Sequence, residues 1–258
     1  MITSSANKQI KELVQYMKKS KHRKADQIFV VEGIKMFLEA PKDWILKVYV
    51  SESFLKEDIY KEKVKKIEHE IINDAVFEYV SDTKTPQGIL CLMKMPSYKM
   101  QDLFSKKNGV YLVLENIQDP GNLGTMFRTG EGAGISGIIM NENTVDLFNP
   151  KTIRSTMGSI YRIPFFITSD LKNTMGELKQ NGIRLYAAHL RGTLNYDKAD
   201  YQSGCAFMIG NEGNGLSDET ANLADTYIKI PMDGALESLN AAMAAGLLMY
   251  ESARQRRV

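Results

Sequence analysis

The residues of this 258-residue chain best placed to do chemistry lie near its end, in two loops that each follow an apolar strand. The first, Gly210-Asn211-Glu212-Gly213-Asn214-Gly215, carries three glycines in six residues after the apolar run 206–209. Glycine bares the backbone, so such a loop can set N–H and C=O groups directly against a ligand or take turns closed to other residues. A plain tight turn is the alternative reading of the same residues. The second loop leaves strand 227–230 at Pro231 and passes Asp233-Gly234-Ala235-Leu236 to reach Ser238-Leu239-Asn240. An acid (Glu212), a hydroxyl (Ser238) and an amide (Asn240) thus stand beyond the carboxyl ends of two strands, where α/β proteins form ligand crevices. That trio suits binding and polarisation, and by itself names no reaction.

The elements around these loops follow from periodicity. From Asn240 the small residues Ala241, Ala242, Ala244, Ala245 and Gly246 give a helix with a nearly bare face, while Met243, Leu247 and Tyr250 stand at i, i+4 and i+7. Arg254, Arg256 and Arg257 fall in its last turn or just beyond, where positive charge complements the helix dipole. Upstream, residues 1–95 alternate as a small α/β domain: an amphipathic helix over 7–19 on Ile10, Leu13, Val14 and Met17, strands at 29–32, 48–50, 77–80 and 89–93, and helices at 34–40 and 55–68. Polar punctuation over 96–108 reads as a linker. Residues 109–258 restart the pattern with a buried strand (109–116), a turn-rich stretch (118–124), a helix over 125–132 carrying Arg128, and a strand at 137–140. A helix opened by Asn149-Pro150 and carrying Arg154 follows, then strand 163–167, helix 171–181 and a strand at 184–188 ending at His189. His189 reads as a positioned polar group near the strand ends rather than a metal ligand. Gly132-Ala-Gly134-Ile-Ser-Gly137 matches GxGxxG, but it follows a helix and precedes a strand, the reverse of a dinucleotide fingerprint.

Composition narrows the function classes. No apolar run approaches the ~18 residues of a membrane-spanning helix and the first residues lack a signal-peptide core, so a cytoplasmic protein off the membrane is expected. Two cysteines (Cys91, Cys205) and three distant histidines (His22, His69, His189) offer no metal-ligand spacing, and no metal is expected. The net charge of +2 conceals an asymmetry: residues 1–107 hold 20 Lys and Arg against 15 Asp and Glu, and the remainder 13 against 16. The first 24 residues alone set Lys8, Lys11, Lys18, Lys19, Lys21, Arg23 and Lys24 against Glu12. Such a density points to a polyanion as partner, with a solvated helix face as the plainer alternative.

Four stretches in order, Asn122-Leu-Gly-Thr-Met-Phe-Arg128, Ile209-Gly-Asn-Glu-Gly-Asn-Gly215, Ile230-Pro-Met232 and Ser238-Leu-Asn240, resemble the ordered motifs of the SpoU (TrmH-like) RNA 2'-O-ribose methyltransferases of the SPOUT superfamily. Ser5-x-Asn7, Arg23, Phe29-Val-Val-Glu-Gly33, Glu39-Ala40 and Thr85-Pro-Gln-Gly88 are similar to that family's substrate-binding domain, which has the fold of ribosomal protein L30e.

The resemblance implies an α/β fold whose C-terminal parallel sheet carries a deep trefoil knot, preceded by a smaller L30e-like domain for RNA. It implies S-adenosylmethionine as cofactor, held at Gly210, Ile230 and Leu239 with Asn211, Gly213, Met232 and His189 beside them. It further implies a catalytic set of Asn122, Arg128, Glu212, Ser238 and Asn240 and a homodimer; the bare Ala-rich helix face is expected to pack near the two-fold axis, with packing on the chain's own sheet the alternative, and Lys8, Lys11, Arg23, Lys24 and Arg154 are the expected RNA contacts. Arg128 is expected to hold a phosphate and stabilise the developing alkoxide rather than act as base, because a guanidinium hardly deprotonates. Asn122 and Glu212 are expected to orient it and the ribose. Ribosomal (23S) RNA is the expected substrate, with transfer RNA the alternative and a non-catalytic RNA-binding module a further one.

Overall fold

The computed structural model describes residues 1–57, 62, 64–65 and 67–257. They form two compact units, Met1–Pro96 with Asp146–Tyr161 and Ser97–Val145 with Arg162–Val258.

The first unit is built on a four-stranded sheet in the order β1-β4-β2-β3, from β1 (Ile28–Glu32), β2 (Ile45–Ser51), β3 (His69–Ile72) and β4 (Ile89–Lys94). β4 runs antiparallel to β1 and β2, while β2 and β3 are parallel. Helix α1 (Lys8–Lys18) begins at the Asn7 cap, whose side chain accepts from the Gln9 N–H at 2.8 Å. It buries Ile10, Leu13, Tyr16 and Met17 in a core with Val30, Tyr49, Ile72, Phe77 and Leu90, each fully buried apolar side chain contributing roughly 1.5–3 kcal/mol. Helices α2 (Ser20–Asp26) and α3 (Ile34–Glu39) flank β1 in sequence.

One sequence expectation changes in this unit, and another falls partly outside the described residues. The strand expected at 77–80 is instead the end of helix α4 (Asp74–Val80). Val76, Phe77 and Val80 satisfy a helical stripe as well as a strand, and Asn73 decides between them by capping the Ala75 and Val76 N–H groups at 3.0 and 3.4 Å. The strand of that region is β3, just upstream. The charged helix expected over 55–68 falls partly on residues 58–61, 63 and 66, outside the described residues; Phe54–Lys56 is a 3-10 turn. The unit is completed from beyond the expected linker by α7 (Pro150–Thr156), opened by its Asn149 cap and packed on β1.

The second unit holds a seven-stranded sheet in the order β7-β6-β5-β10-β8-β11-β9, every neighbouring pair parallel. Its strands are β5 (Val110–Leu114), β6 (Gly137–Asn141), β7 (Phe165–Thr168), β8 (Arg184–Ala188), β9 (Leu194–Asn195), β10 (Cys205–Ile209) and β11 (Thr226–Lys229). The central β5 and β10 are buried at all five positions, as their unbroken apolar runs require of strands covered on both faces. The chain builds β5, β6 and β7 outward on one side and adds the remaining strands on the other, so the order reverses between β5 and β10. That is where an open parallel sheet presents its ligand crevice.

Within residues 96–108, expected as a linker, lies α5 (Met100–Leu103), whose Met100 and Leu103 are buried in this unit's core. Helix α6 (Pro120–Ala133) starts earlier than expected: Asp119 caps the Asn122 N–H at 2.8 Å and Pro120 takes the first helical position, where its missing N–H costs nothing. Gly134, in the left-handed region at φ 76°, ends α6, confirming that the GxGxxG match is a helix terminus. Helices α8 (Leu171–Gln180) and α9 (Asp218–Ala221) precede α10 (Ala241–Arg256), whose Asn240 cap accepts from the Ala242 and Met243 N–H groups at 2.9 and 3.2 Å.

Candidate active site at the switch point of the parallel sheet

Strand register brings the expected cofactor positions to one edge. Ile209 pairs with Leu114, Met208 with Ala187, and Ile228 with Ala188. Gly210, His189 and Ile230 therefore lie just past the carboxyl ends of the adjacent strands β10, β8 and β11, and Asn116 just past β5. Gly210 is fixed by a close approach: a Cβ there would lie 2.0 Å from the Gly215 carbonyl carbon and 2.1 Å from the Leu216 nitrogen. The loop thus folds back on itself, closed by Asn211 N–H to Gly215 O at 3.0 Å and Gly215 N–H to Asn211 O at 2.8 Å.

Asn211 shapes this loop from within. Its Nδ2 donates to the Asn116 carbonyl at 2.9 Å, and its Oδ1 accepts from the Gly213 and Asn214 N–H groups at 2.9 and 3.1 Å. Expected as a cofactor contact, Asn211 has its backbone N–H and both amide atoms already engaged. Glu115, at the end of β5 and 7% exposed, holds the far side of the loop. It accepts from the Ser217 N–H and hydroxyl, both at 2.8 Å, and from the Thr220 hydroxyl. Sequence reasoning passed over Glu115, whose partners stand 102 and 105 positions away; an acid closing an otherwise apolar strand was the available signal.

Three of the five expected catalytic residues form one chain of hydrogen bonds. Asn240 Nδ2 donates to Asn122 Oδ1 at 3.0 Å, and Asn122 Nδ2 donates to Glu212 Oε1 at 2.9 Å. Glu212 also accepts from the Gln118 and Asp119 N–H groups, each at 3.1 Å. Partial burial opposes the charge on Glu212, but the Asn122 amide and the backbone N–H groups outweigh it and lower its pKa below the usual glutamate value. Ionised Glu212 thereby ties the Gly-rich loop to the entry of α6, and the Asn240–Asn122 amide pair ties α6 to the cap of α10.

Arg128 and Ser238 stand outside this chain. Both are exposed and take no side-chain partner among the described residues. The expectation that Glu212 and Asn122 orient Arg128 is not met within one chain. Because α6 begins at Pro120, Asn122 and Arg128 are six residues apart on one helix, about 120° around its axis at 3.6 residues per turn. Ile230, Met232 and Leu239 are half-buried in the second loop. The His189 ring packs against Tyr227 at 5.2 Å and its Nδ1 accepts from the Arg191 N–H at 3.1 Å. Burial, with the Arg191 charge nearby, lowers its pKa and favours the neutral ring.

Of the expected RNA contacts, Lys8, Lys11 and Lys24 are exposed. Arg23 is not available: it is 2% exposed, donates to the Tyr16 and Met17 carbonyls at 2.7 and 3.2 Å, and pairs with Asp146. Its place after Asp146-bearing chain is brought into the first unit makes it a buried anchor. Arg154 is likewise committed, pairing with Asp82 at 3.0 Å. The small residues of α10 also face inward. Ala245 is fully buried and Gly246 lies against Thr129 of α6, leaving Met243, Leu247 and Tyr250 as the exposed stripe. Among the described residues no cluster of metal ligands occurs and no helix is long and apolar enough to cross a membrane.

Comparisons with known proteins bear on both units. Residues 109–250 match the SpoU rRNA Methylase family and residues 7–91 the MRM3-like substrate binding domain. The chain is 32% identical to the 23S rRNA (guanosine(2553)-2'-O)-methyltransferase RlmP of Bacillus subtilis, across 96% of this chain and 97% of that one. It is similar to the AdoMet-bound rRNA methyltransferase of Sinorhizobium meliloti, with a TM-score of 0.84, 31% identity, and 98% and 97% of the two chains covered. It shares its fold with the SpoU methyltransferase AviRb of Streptomyces viridochromogenes in complex with AdoMet, at a TM-score of 0.89 and 23% identity, with 97% and 98% covered. With its four motif stretches converging on the switch point of a parallel sheet, the chain belongs to the SpoU rRNA methylase family.

Proposed function

We propose that this protein transfers the methyl group of S-adenosylmethionine to a ribose 2'-hydroxyl of 23S ribosomal RNA. The observation that carries this reading is the Asn240–Asn122–Glu212 chain, which joins three of the family's motif segments at the carboxyl edge of the sheet. The residues present suit the cofactor. Gly210 lets the Gly-rich loop fold back on itself just past β10, and residues 231–239 enter no backbone pairing among the described residues, so their N–H and C=O groups stay open to a ligand. A neutral His189 adds no repulsion toward a sulfonium cation. Gly210, Gly213, Ile230, Met232, Leu239 and His189 would hold the cofactor, with Asn211 shaping the loop. When bound, S-adenosylmethionine supplies an electrophilic methyl group.

The chain's own part is positioning. Glu212 and Asn122 fix the Gly-rich loop against α6, and Asn240 fixes α10 to the same point, so the edge is organised before RNA arrives. Arg128, exposed and without a side-chain partner among the described residues, is free to fork onto an RNA phosphate and to stabilise negative charge on the 2'-oxygen; it cannot serve as the base. Ser238, also without a partner among the described residues, is free for the nucleotide. The exposed Lys8, Lys11 and Lys24 of the first unit supply phosphate contacts. The apolar stripe of Met243, Leu247 and Tyr250 supports a homodimer, in place of the alanine face expected from sequence. Helix α10 follows β11 yet packs on α6, β10 and β5, in keeping with the knot the family resemblance implies. A cytoplasmic location accords with this substrate.

The test is incubation of purified protein with a 23S rRNA transcript and methyl-labelled S-adenosylmethionine, followed by nucleoside digestion and mass spectrometry. A 2'-O-methyl nucleoside is expected, absent with Arg128→Ala and with Arg128→Lys, whose point charge lacks the planar fork. A label found only on bases would reject ribose as the acceptor.

A further inference from the structure

At the opposite edge of the seven-stranded sheet, where β5 and β6 begin, a cleft of about 420 Å³ opens between residues 106–110, the last turn of α6 and the last turn of α10. We propose that this cleft is a second RNA-binding site that grips the phosphodiester backbone away from the reacting nucleotide. The proposal rests on the RNA-methylating reading above. Lys106, Lys107, Arg256 and Arg257 line the cleft, against a single carboxylate, Glu131. Glu131 is already paired with Arg162, so it does not neutralise them.

Cations commonly gather at helix C-termini, and two such ends meet here. Each end carries roughly −0.5 charge, so the two together offset about one of the four cations and leave a surplus near +3. Arg256 is spent on structure: it donates to the Tyr201 and Asn108 carbonyls at 2.7 and 2.6 Å and to that of Ser203. Lys106, Lys107 and Arg257 are exposed and make no ion pair among the described residues. Elsewhere in this unit Lys179, Arg191, Lys198 and Arg254 each face a carboxylate. Three unspent cations around a concave floor, with Gly132 and Gly134 baring the end of α6, fit a chain of phosphates better than a lone anion. The five residues of β5 separate the cleft from the cofactor edge by on the order of 16 Å. An RNA bound here would touch the enzyme at both ends of the same strands.

The experiment compares Lys106→Ala/Lys107→Ala/Arg257→Ala with a charge-matched control, Lys172→Ala/Lys179→Ala/Lys198→Ala, in binding to a 23S rRNA transcript over a range of salt. The cleft variant is expected to bind about tenfold more weakly at 150 mM salt, with the slope of log K against log salt shallower by about 2, since each lost phosphate contact removes roughly 0.7–0.9. The control is expected to stay within about twofold, and both to bind S-adenosylmethionine as wild type does, which establishes folding. Equal affinity and slope in the two variants would overturn the cleft. Methylation is followed in the same samples. Cleft-dependent binding without any methylation by wild type would overturn the functional reading instead.

Discussion

Each sheet ends one of its strands in a buried glutamate, and the two are used differently. Glu32 closes β1 of the first unit, 8% exposed, and Glu115 follows β5 of the second, 7% exposed. Both accept from a serine and a threonine hydroxyl: Ser81 and Thr83 for Glu32, Ser217 and Thr220 for Glu115. Glu32 does this with one oxygen, and its Oε2 is buried without a hydrogen-bond partner among the described residues. Glu115 spends both, the second on the Ser217 N–H at 2.8 Å. The same side chain in the same place therefore tethers a turn in one sheet and fully specifies a loop in the other. The fully specified loop is the one beside the proposed cofactor edge, where a small misplacement is costly to a positioning enzyme.

That contrast can be broken at Glu115 first. Glu115→Ala leaves a backbone N–H and two hydroxyls without their acceptor and should cost about 3 kcal/mol, lowering the melting temperature by roughly 6–12 °C for a chain of this size. Calorimetry should show S-adenosylmethionine affinity falling with it; an affinity that survives would separate Glu115 from the loop's function. Next, Glu115→Gln presents an NH2 group to a donor and should cost roughly 2 kcal/mol by denaturant titration. Glu212→Gln exchanges one of three accepted hydrogen bonds for a clash of donors, and should weaken cofactor binding about tenfold, the equivalent of ~1.4 kcal/mol. Glu212 has its pKa lowered in the fold, so its stabilisation is complete above the ordinary glutamate value of 4.5 and lost as pH falls through the folded value. The stability gap between wild type and Glu212→Gln should accordingly narrow as pH falls below 4.5. Smallest, Glu32→Gln should cost under about 1 kcal/mol, because the oxygen replaced has no partner to lose. Equal costs at Glu32 and Glu115 would dissolve the distinction.

Much of this arrangement was legible in the sequence because it is local. Asn7, Asn149 and Asn240 announce their helices by capping chemistry alone, and the unbroken apolar runs of β5 and β10 announce strands buried on both faces. The motif residues Asn122, Glu212 and Asn240 pointed to one site through the family resemblance, and the structure joins them. What escaped was settled by contacts between distant residues. Val76, Phe77 and Val80 fit either period, and Asn73 breaks the tie. The run Asp119-Pro120-Gly121 reads as a turn, although Asp at the cap and Pro at the first position equally open a helix. Arg23 looked like part of a basic cluster because nothing near it in sequence reveals that Asp146, 123 residues on, will bury it. Arg128 remained apart because its helix carries it around the axis from Asn122.

The ion pair of Arg23 with Asp146 also sets an order of events during synthesis. The first unit is discontinuous, so a ribosome that has released residues 1–96 has not yet made the piece that completes it. Until residue 146 emerges, Arg23 sits in a forming core without its counter-charge, and a buried charge lacking its partner is destabilising by roughly 3–5 kcal/mol. Pro150, Thr152, Ile153 and Thr156 of α7 arrive later still. Strands β5 and β6 of the second unit must therefore leave the exit tunnel before the first unit can close. Neither unit is a unit of translation: the nascent chain must hold both open together, and a truncation after residue 96 should yield a fragment that binds chaperones rather than RNA.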